Sequence, residues 1–186
     1  MDLSNPLLVF AMKEESQDIF NDYDVLHTGI GKVNATYALT RALSDPKPPS
    51  IIINMGTAGS RKHPGGAIIN CTGFIQRDMD VTPLGVPKYQ TPFSDTPIIL
   101  EYGHAIPHLA QGTCGTGDNF DTTDEAKNFD VVDMEAYALA HITMQEDIPF
   151  LCLKYISDSA DGEAHEDWNT TLKRAAQALR EALNQL

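Results

Sequence analysis

Positive charge is scarce in this 186-residue chain: 13 lysines and arginines stand against 26 aspartates and glutamates, a formal charge of −13 at pH 7. A surface this negative repels phosphate backbones, and the few cations are scattered, so no nucleic-acid partner is expected. Long apolar runs are missing as well. Nowhere do about 18 apolar residues follow one another, and Met1-Asp2-Leu3-Ser4-Asn5-Pro6 has no basic start before an apolar stretch. Neither a membrane span nor an export signal is expected. The three cysteines, Cys71, Cys114 and Cys152, show no C-x-x-C spacing, and each sits in or beside an apolar run. They read as reduced core thiols of a cytoplasmic protein rather than a disulfide framework. His104 and His108 have the i,i+4 spacing of a helical metal pair, but Pro107 between them argues against that helix, so no metal site is expected. Repeats and low-complexity tracts are also lacking.

What is present is 42% hydrophobic residues in a chain long enough for one sizeable core. Apolar runs of strand length at Leu7–Ala11, Ile51–Met55, Ala67–Cys71 and Phe150–Ile156 alternate with helical periodicity, the pattern of a sheet with crossover helices. Several runs are apolar throughout, as in strands covered on both faces. Lys32–Leu43 reads as a helix stopped by Pro46, Pro48 and Pro49, and Asp133–Gln145 as a second. In the tail, Leu172, Ala175, Ala176, Leu179, Leu183 and Leu186 form one stripe of a closing helix. Arg77–Leu109, with Pro83, Pro87, Pro92, Pro97 and Pro107, reads as a long irregular excursion of the kind that walls a site or forms an interface.

Four segments carry candidate chemistry, each with a plainer alternative. Met12-Lys13-Glu14-Glu15-Ser16 puts carboxylates just past a strand, where α/β sheets keep their sites, yet an acidic first turn would look the same. Thr28-Gly29-Ile30-Gly31-Lys32 and Asn54-Met55-Gly56-Thr57-Ala58-Gly59-Ser60 place glycines at strand ends, without the spacing of a phosphate loop or a dinucleotide fingerprint; tight turns are the alternative. Asp133-Met134-Glu135 opens a predicted helix, where carboxylates serve as dipole partners. Two residues apart, however, they cannot share a face, so one must turn to the sheet or to a ligand such as a ribose diol. Ser157-Asp158 ends an apolar strand, where burial raises a carboxyl pKa and suits it to general acid work; an Asx-turn is the alternative.

In order along the chain, AMKEE (11–15), TGIGKVNA (28–35), INMGTAGS (53–60), RDMDVTPLG (77–85), TGDNF (116–120), DMEAYALA (133–140) and ISDSAD (156–161) resemble the nucleoside phosphorylase superfamily. They are most similar to its hydrolytic branch, the 5′-methylthioadenosine/S-adenosylhomocysteine nucleosidases. The resemblance implies a single α/β domain over residues 1–186, with a central twisted, mixed but mostly parallel sheet between helices in three layers. It implies hydrolysis of the N-glycosidic bond of a purine nucleoside, with no cofactor. In that role Glu15 activates water, and Asp158, oriented by Ser157, is the acid at the purine ring. Glu135 and Met134 hold the ribose. Phe120 stacks on the base and the Asp121 backbone reads its edge. Met12, Thr57 and Ala58 line the sugar pocket, Lys154 stands where an arginine is more usual, and Trp168 covers the 5′ substituent.

Two features qualify the resemblance. Asn54 replaces the arginine with which the phosphorylases of the superfamily grip phosphate, favouring water as the nucleophile. The stretch from Glu15 to Thr28 is too short for the strand hairpin usual there, which bears on substrate identity. A homodimer is expected, with Arg77–Phe93 helping to complete the neighbour's pocket. The rival readings are a phosphate-dependent phosphorylase and a non-catalytic nucleoside-binding protein.

Overall fold

The computed structural model describes residues 1–120, 124–159 and 168–186. Its strands are β1 (Pro6–Phe10), β2 (Asp24–His27), β3 (Ile51–Gly59), β4 (Ile68–Gln76), β5 (Leu100–Glu101), β6 (Ala110–Thr116), β7 (Val131–Asp133) and β8 (Phe150–Asp158). The helices are α1 (Lys13–Ser16), α2 (Lys32–Leu43), α3 (Ala136–Gln145) and α4 (Trp168–Leu183). Parallel pairing joins β2 to β1, β1 to β3, β3 to β8, β4 to β6 and β6 to β7. The antiparallel pairs are β3 with β7, β4 with β5 and β4 with β8. The sheet is therefore mixed and mostly parallel, as expected.

Two apolar clusters explain why the central strands lack alternation. Ile52, Phe150 and Cys152 face one cluster, which includes Ala35 and Leu39 of α2 and Ala136, Leu139 and Ala140 of α3. Ile51, Ile53, Leu151 and Leu153 face the other, which α4 covers with Ala175, Ala176, Leu179 and Leu183. Each strand buries both of its faces, so a period of two in pleat direction leaves no period in hydropathy. The result is three layers, helices on either side of one sheet. The stripe on α4 is as predicted, and Arg180 beside it forks onto Asp22 with two contacts of 2.7 Å.

Three features differ from the sequence expectation. Four strands, β2, β5, β6 and β7, carried no clear signal: β6 is Ala-Gln-Gly-Thr-Cys-Gly-Thr, polar and glycine-rich, and β5 and β7 are very short. The helix predicted from Asp133 begins at Ala136, because Asp133 ends β7 with its side chain buried. And β3, β7, β6, β4 and β8 pair in turn, with β8 returning to β3, so five strands close into a ring. Of the expected excursion, Arg77–Leu109, only a short 3₁₀ turn at Thr82–Leu84 and β5 are regular.

Leu179 is fully buried at the centre of the α4 stripe. Leu179→Ala should lower unfolding stability by about 2–5 kcal/mol through lost burial and the cavity left behind. Urea denaturation reads this directly, with Lys173→Ala on the exposed side of the same helix expected to change little.

Candidate active site

The strand ends Phe10, Gly59, Thr116, Asp133 and Asp158 converge, and the segments leaving them hold the candidate side chains. At the end of β1 the chain turns into α1, with Met12 as its N-cap. Glu15, only 4% exposed, accepts from the Met12 N–H through Oε2 at 3.3 Å. Its Oε1 accepts from both the Thr57 N–H, at 2.8 Å, and the Thr57 hydroxyl, at 2.9 Å. This carboxylate thus does what a first-turn acid does for its helix, and in addition is pinned across to β3. A Cβ at Gly56 would lie 3.0 Å from Oε1, so the glycine is what lets the carboxylate approach the strand.

Glu135 caps α3 and lies almost wholly buried. Its Oε1 accepts from the Gly31 N–H at 2.8 Å, and Gly31 has a φ of 93°, a conformation natural only to glycine. Burial pushes the Glu135 carboxyl up to about 7, helped by the charge of Asp133. Asp133 faces the sheet instead. It meets Lys154 Nζ at 2.8 Å, accepts from the Thr116 hydroxyl at 2.6 Å, and accepts from the Ala136 N–H at 2.9 Å. Of the two carboxylates that could not share a helix face, the nearer one went to the sheet.

At the end of β8, Asp158 Oδ2 accepts from the Ser157 hydroxyl at 2.8 Å, and that hydroxyl also lies 3.4 Å from the Ala58 carbonyl. Asp158, Met134 and Phe120 line a cavity of about 40 Å³, together with Arg77 and Asn119. Seven collinear sequence matches, the ring of strands and this gathering of three carboxylates now have a single frame: a family model described as the phosphorylase superfamily matches residues 24–186.

The chain belongs to the phosphorylase superfamily. The 5′-methylthioadenosine/S-adenosylhomocysteine nucleosidase of Bacillus subtilis (strain 168) is 31% identical to it over 173 residues, covering 82% of this chain and 74% of the relative. That of an Exiguobacterium species is 33% identical over 173 residues, with the same shares covered. The crystal structure of the Helicobacter pylori 5′-methylthioadenosine/S-adenosylhomocysteine nucleosidase shares the fold with a TM-score of 0.82, at 20% identity over 100% of both chains. The native structure of the futalosine hydrolase of Helicobacter pylori also gives 0.82, at 20% identity and 99% of both chains.

Within this phosphorylase-superfamily fold, the structure joins Met12, Glu15 and Thr57 in one hydrogen-bonded group and Phe120, Met134 and Asp158 around one cavity. Ala58 and Glu135 lie beside them in the chain, next to Thr57 and Met134. Lys154 does not line that cavity but lies buried against Asp133. Trp168 is the first residue of α4, 49% exposed, and it too is not among the cavity's lining residues. Asp121 lies outside the described residues. Asn54 is built into the sheet, donating to the Val9 carbonyl at 3.1 Å and accepting from the Cys152 thiol at 3.4 Å.

Sequence reasoning assigned no role to Arg77 or Thr116, although each stands at the start of a matched segment, and it left open whether Asp133 or Glu135 turns to the sheet. Arg77 is buried and donates to the side chain and the carbonyl of Asn119, holding the Gly117–Phe120 stretch in place. Lys32 pairs with Asp78 and lies 3.9 Å from Asp118.

Gly56→Ala should destabilise the fold by about 1–3 kcal/mol, since the added methyl meets a pinned carboxylate. Combined with Glu15→Ala, much of that penalty should vanish, a coupling of about 0.5–3 kcal/mol in a double-mutant cycle of urea unfolding. Strict additivity would mean that the close approach to Glu15 is not what requires the glycine.

Proposed function

We propose that the chain is a purine nucleosidase that hydrolyses the N-glycosidic bond of an adenosine-type nucleoside, with 5′-methylthioadenosine and S-adenosylhomocysteine as the leading substrates. The observation that carries the reading is the gathering of Glu15, Glu135 and Asp158 at one set of strand ends. Bond cleavage builds positive charge on the sugar and negative charge on the departing purine. Asp158, oriented by Ser157, protonates the base at ring nitrogen 7 as the carbon–nitrogen bond breaks. Glu15 takes a proton from the water that captures the anomeric carbon, and Glu135 accepts from the sugar hydroxyls. Met134 and Phe120 contact the sugar and the base, Met12, Thr57 and Ala58 line the sugar side, and Trp168 covers the 5′ substituent. The products are free base and free sugar, and the scheme requires no cofactor or metal.

Water is favoured over phosphate by the state of the polar side chains nearby. Asn54 spends its amide on the sheet, and Lys32, Arg77 and Lys154 are each engaged by carboxylates or carbonyls of the chain. The names of the curated relatives, at 31–33% identity, point the same way. Asp158→Asn and Glu15→Gln should each cut base release by about 10²–10⁴-fold, in line with the loss of one acid–base group. Release followed with methylthioadenosine and adenosylhomocysteine should be indifferent to added phosphate. Phosphate-dependent formation of sugar 1-phosphate would overturn the hydrolytic reading.

The same reading makes the protein a cytoplasmic homodimer. Its three cysteines are buried free thiols, and among the described residues no helix is long and apolar enough to cross a membrane. Exposed Val33 and Tyr37 of α2 line a cavity of about 850 Å³ together with Thr91 and Ser94, and Phe93 between those two is fully exposed. An apolar surface of this kind, continuous with the Arg77–Phe93 loop, fits a second copy of the chain. Light scattering should give twice the monomer mass, and Phe93→Asp with Tyr37→Asp should shift it to the monomer.

A further inference from the structure

Lys154 and Asp133 form an ion pair with side chains only 2% and 1% exposed, sealed beneath the residues that carry Met134 and Glu135. Asp133 is gripped from three directions: by Lys154 of β8, by the Thr116 hydroxyl of β6, and by the N–H of Ala136 in the first turn of α3. The Thr116 oxygen also accepts from the Tyr137 N–H at 2.9 Å. Glu135 sits between two clamped points, Asp133 behind it and Ala136 ahead, with the Gly31 N–H fixing its carboxylate. We propose that Asp133, held by Lys154 and Thr116, is the positioning residue for Glu135 and governs the grip of the site on the sugar diol. This rests on the reading of Glu135 as the diol acceptor and extends it to the buried ion pair and hydroxyl behind it.

The electrostatics act in the same direction as the geometry. Glu135 is faced by Asp133 of β7, Lys154 of β8 and Glu15 of α1, with the Gly31 N–H from the turn before α2. Burial raises its carboxyl to about 7; Asp133 and Glu15 add to that, and Lys154 and the Gly31 N–H oppose it. Burial disfavours the charges of Asp133 and Lys154 too, yet their attraction holds the one carboxyl low and the other ammonium high. Cys114, close to Lys154, is pushed up to about 11 by burial and stays neutral. An ionised Glu135 accepts from the diol hydroxyls through charge-assisted hydrogen bonds, and protonation removes the charge and one acceptor oxygen. Below its midpoint the grip should therefore weaken by about tenfold per pH unit, and above it stay level.

The test is equilibrium binding of an adenosine C-nucleoside, whose base–sugar bond cannot be hydrolysed, measured by calorimetry across the neutral range. Its 2′,3′-dideoxy counterpart serves as the diol-free control. In the unaltered protein the C-nucleoside should show a midpoint near 7 and the control none. Lys154→Met leaves Asp133 anionic and alone, so the midpoint should rise; Asp133→Asn leaves Lys154 cationic and alone, so it should fall. Lys154→Arg, which restores the charge, should return the midpoint towards its original place. Thr116→Val changes no charge and serves even where the charge variants fail to fold. It should weaken binding of the diol-bearing ligand by about 3–10-fold, on the order of one hydrogen bond, and spare the control. Midpoints moving the same way in both charge variants, or Thr116→Val weakening both ligands equally, would overturn the proposal. Absence of base release from methylthioadenosine would instead sink the nucleosidase reading, while the binding measurement still decides this one.

Discussion

The buried pair of Lys154 and Asp133 is the constraint on which the site depends. Two full charges inside the sheet are tolerable only because each answers the other and because Thr116 and the Ala136 N–H complete the hydrogen bonding of the carboxylate. Breaking such a pair from one side costs about 3–5 kcal/mol, since it leaves an uncompensated charge in a low-dielectric interior. The pair ties β6, β7 and β8 to the start of α3. Those elements carry the Gly117–Phe120 stretch, Met134–Glu135 and Ser157–Asp158, so the position of most of the candidate site follows from this contact.

The remaining catalytic candidate is held by a separate device. Glu15 rides on a helix of a single turn, too short to be stable by itself, and is fixed by three donors from Met12 and Thr57. Gly56 supplies the space. The two devices meet through Gly31 and Glu135, and through the shared strand β3, which pairs with β1 on one side and β8 on the other. Neither half of the site can move without disturbing strand pairing, an arrangement suited to a reaction that needs a water, a sugar and a base held in line.

Much of this was legible in the chain. The apolar runs mark β1, β3, β4 and β8, the periodic segments mark α2 and α4, and the seven matched segments offer Glu15, Glu135 and Asp158 as candidates. The strands that escaped notice did so for physical reasons. Gly112 and Gly115 give β6 no hydrophobic signature, and β7 is three residues long, so each is a strand only because neighbours supply its hydrogen bonds. Asp133 reads locally as a helix opener because Met134-Glu135-Ala136 favours a helix; the pull of a buried ammonium 21 positions later in the chain is not a local property. The closure of five strands into a ring was equally out of reach, since it depends on which edges meet.

By itself the sequence determined composition-level and motif-level facts: an acidic α/β chain with few and scattered cations, carrying the residue types of a superfamily in their order. Those are properties of the residues and their spacing, and folding does not alter them. The tertiary structure decided the partnerships. Whether Lys154 would face a ligand or Asp133, whether Asn54 would be free or built into the sheet, and which carboxylate of the Asp133-Met134-Glu135 trio would pair with Lys154 and which with the Gly31 N–H all turned on contacts between distant segments. Charge pairing and burial act through space, with energies set by distance and surroundings, and only the folded chain fixes those.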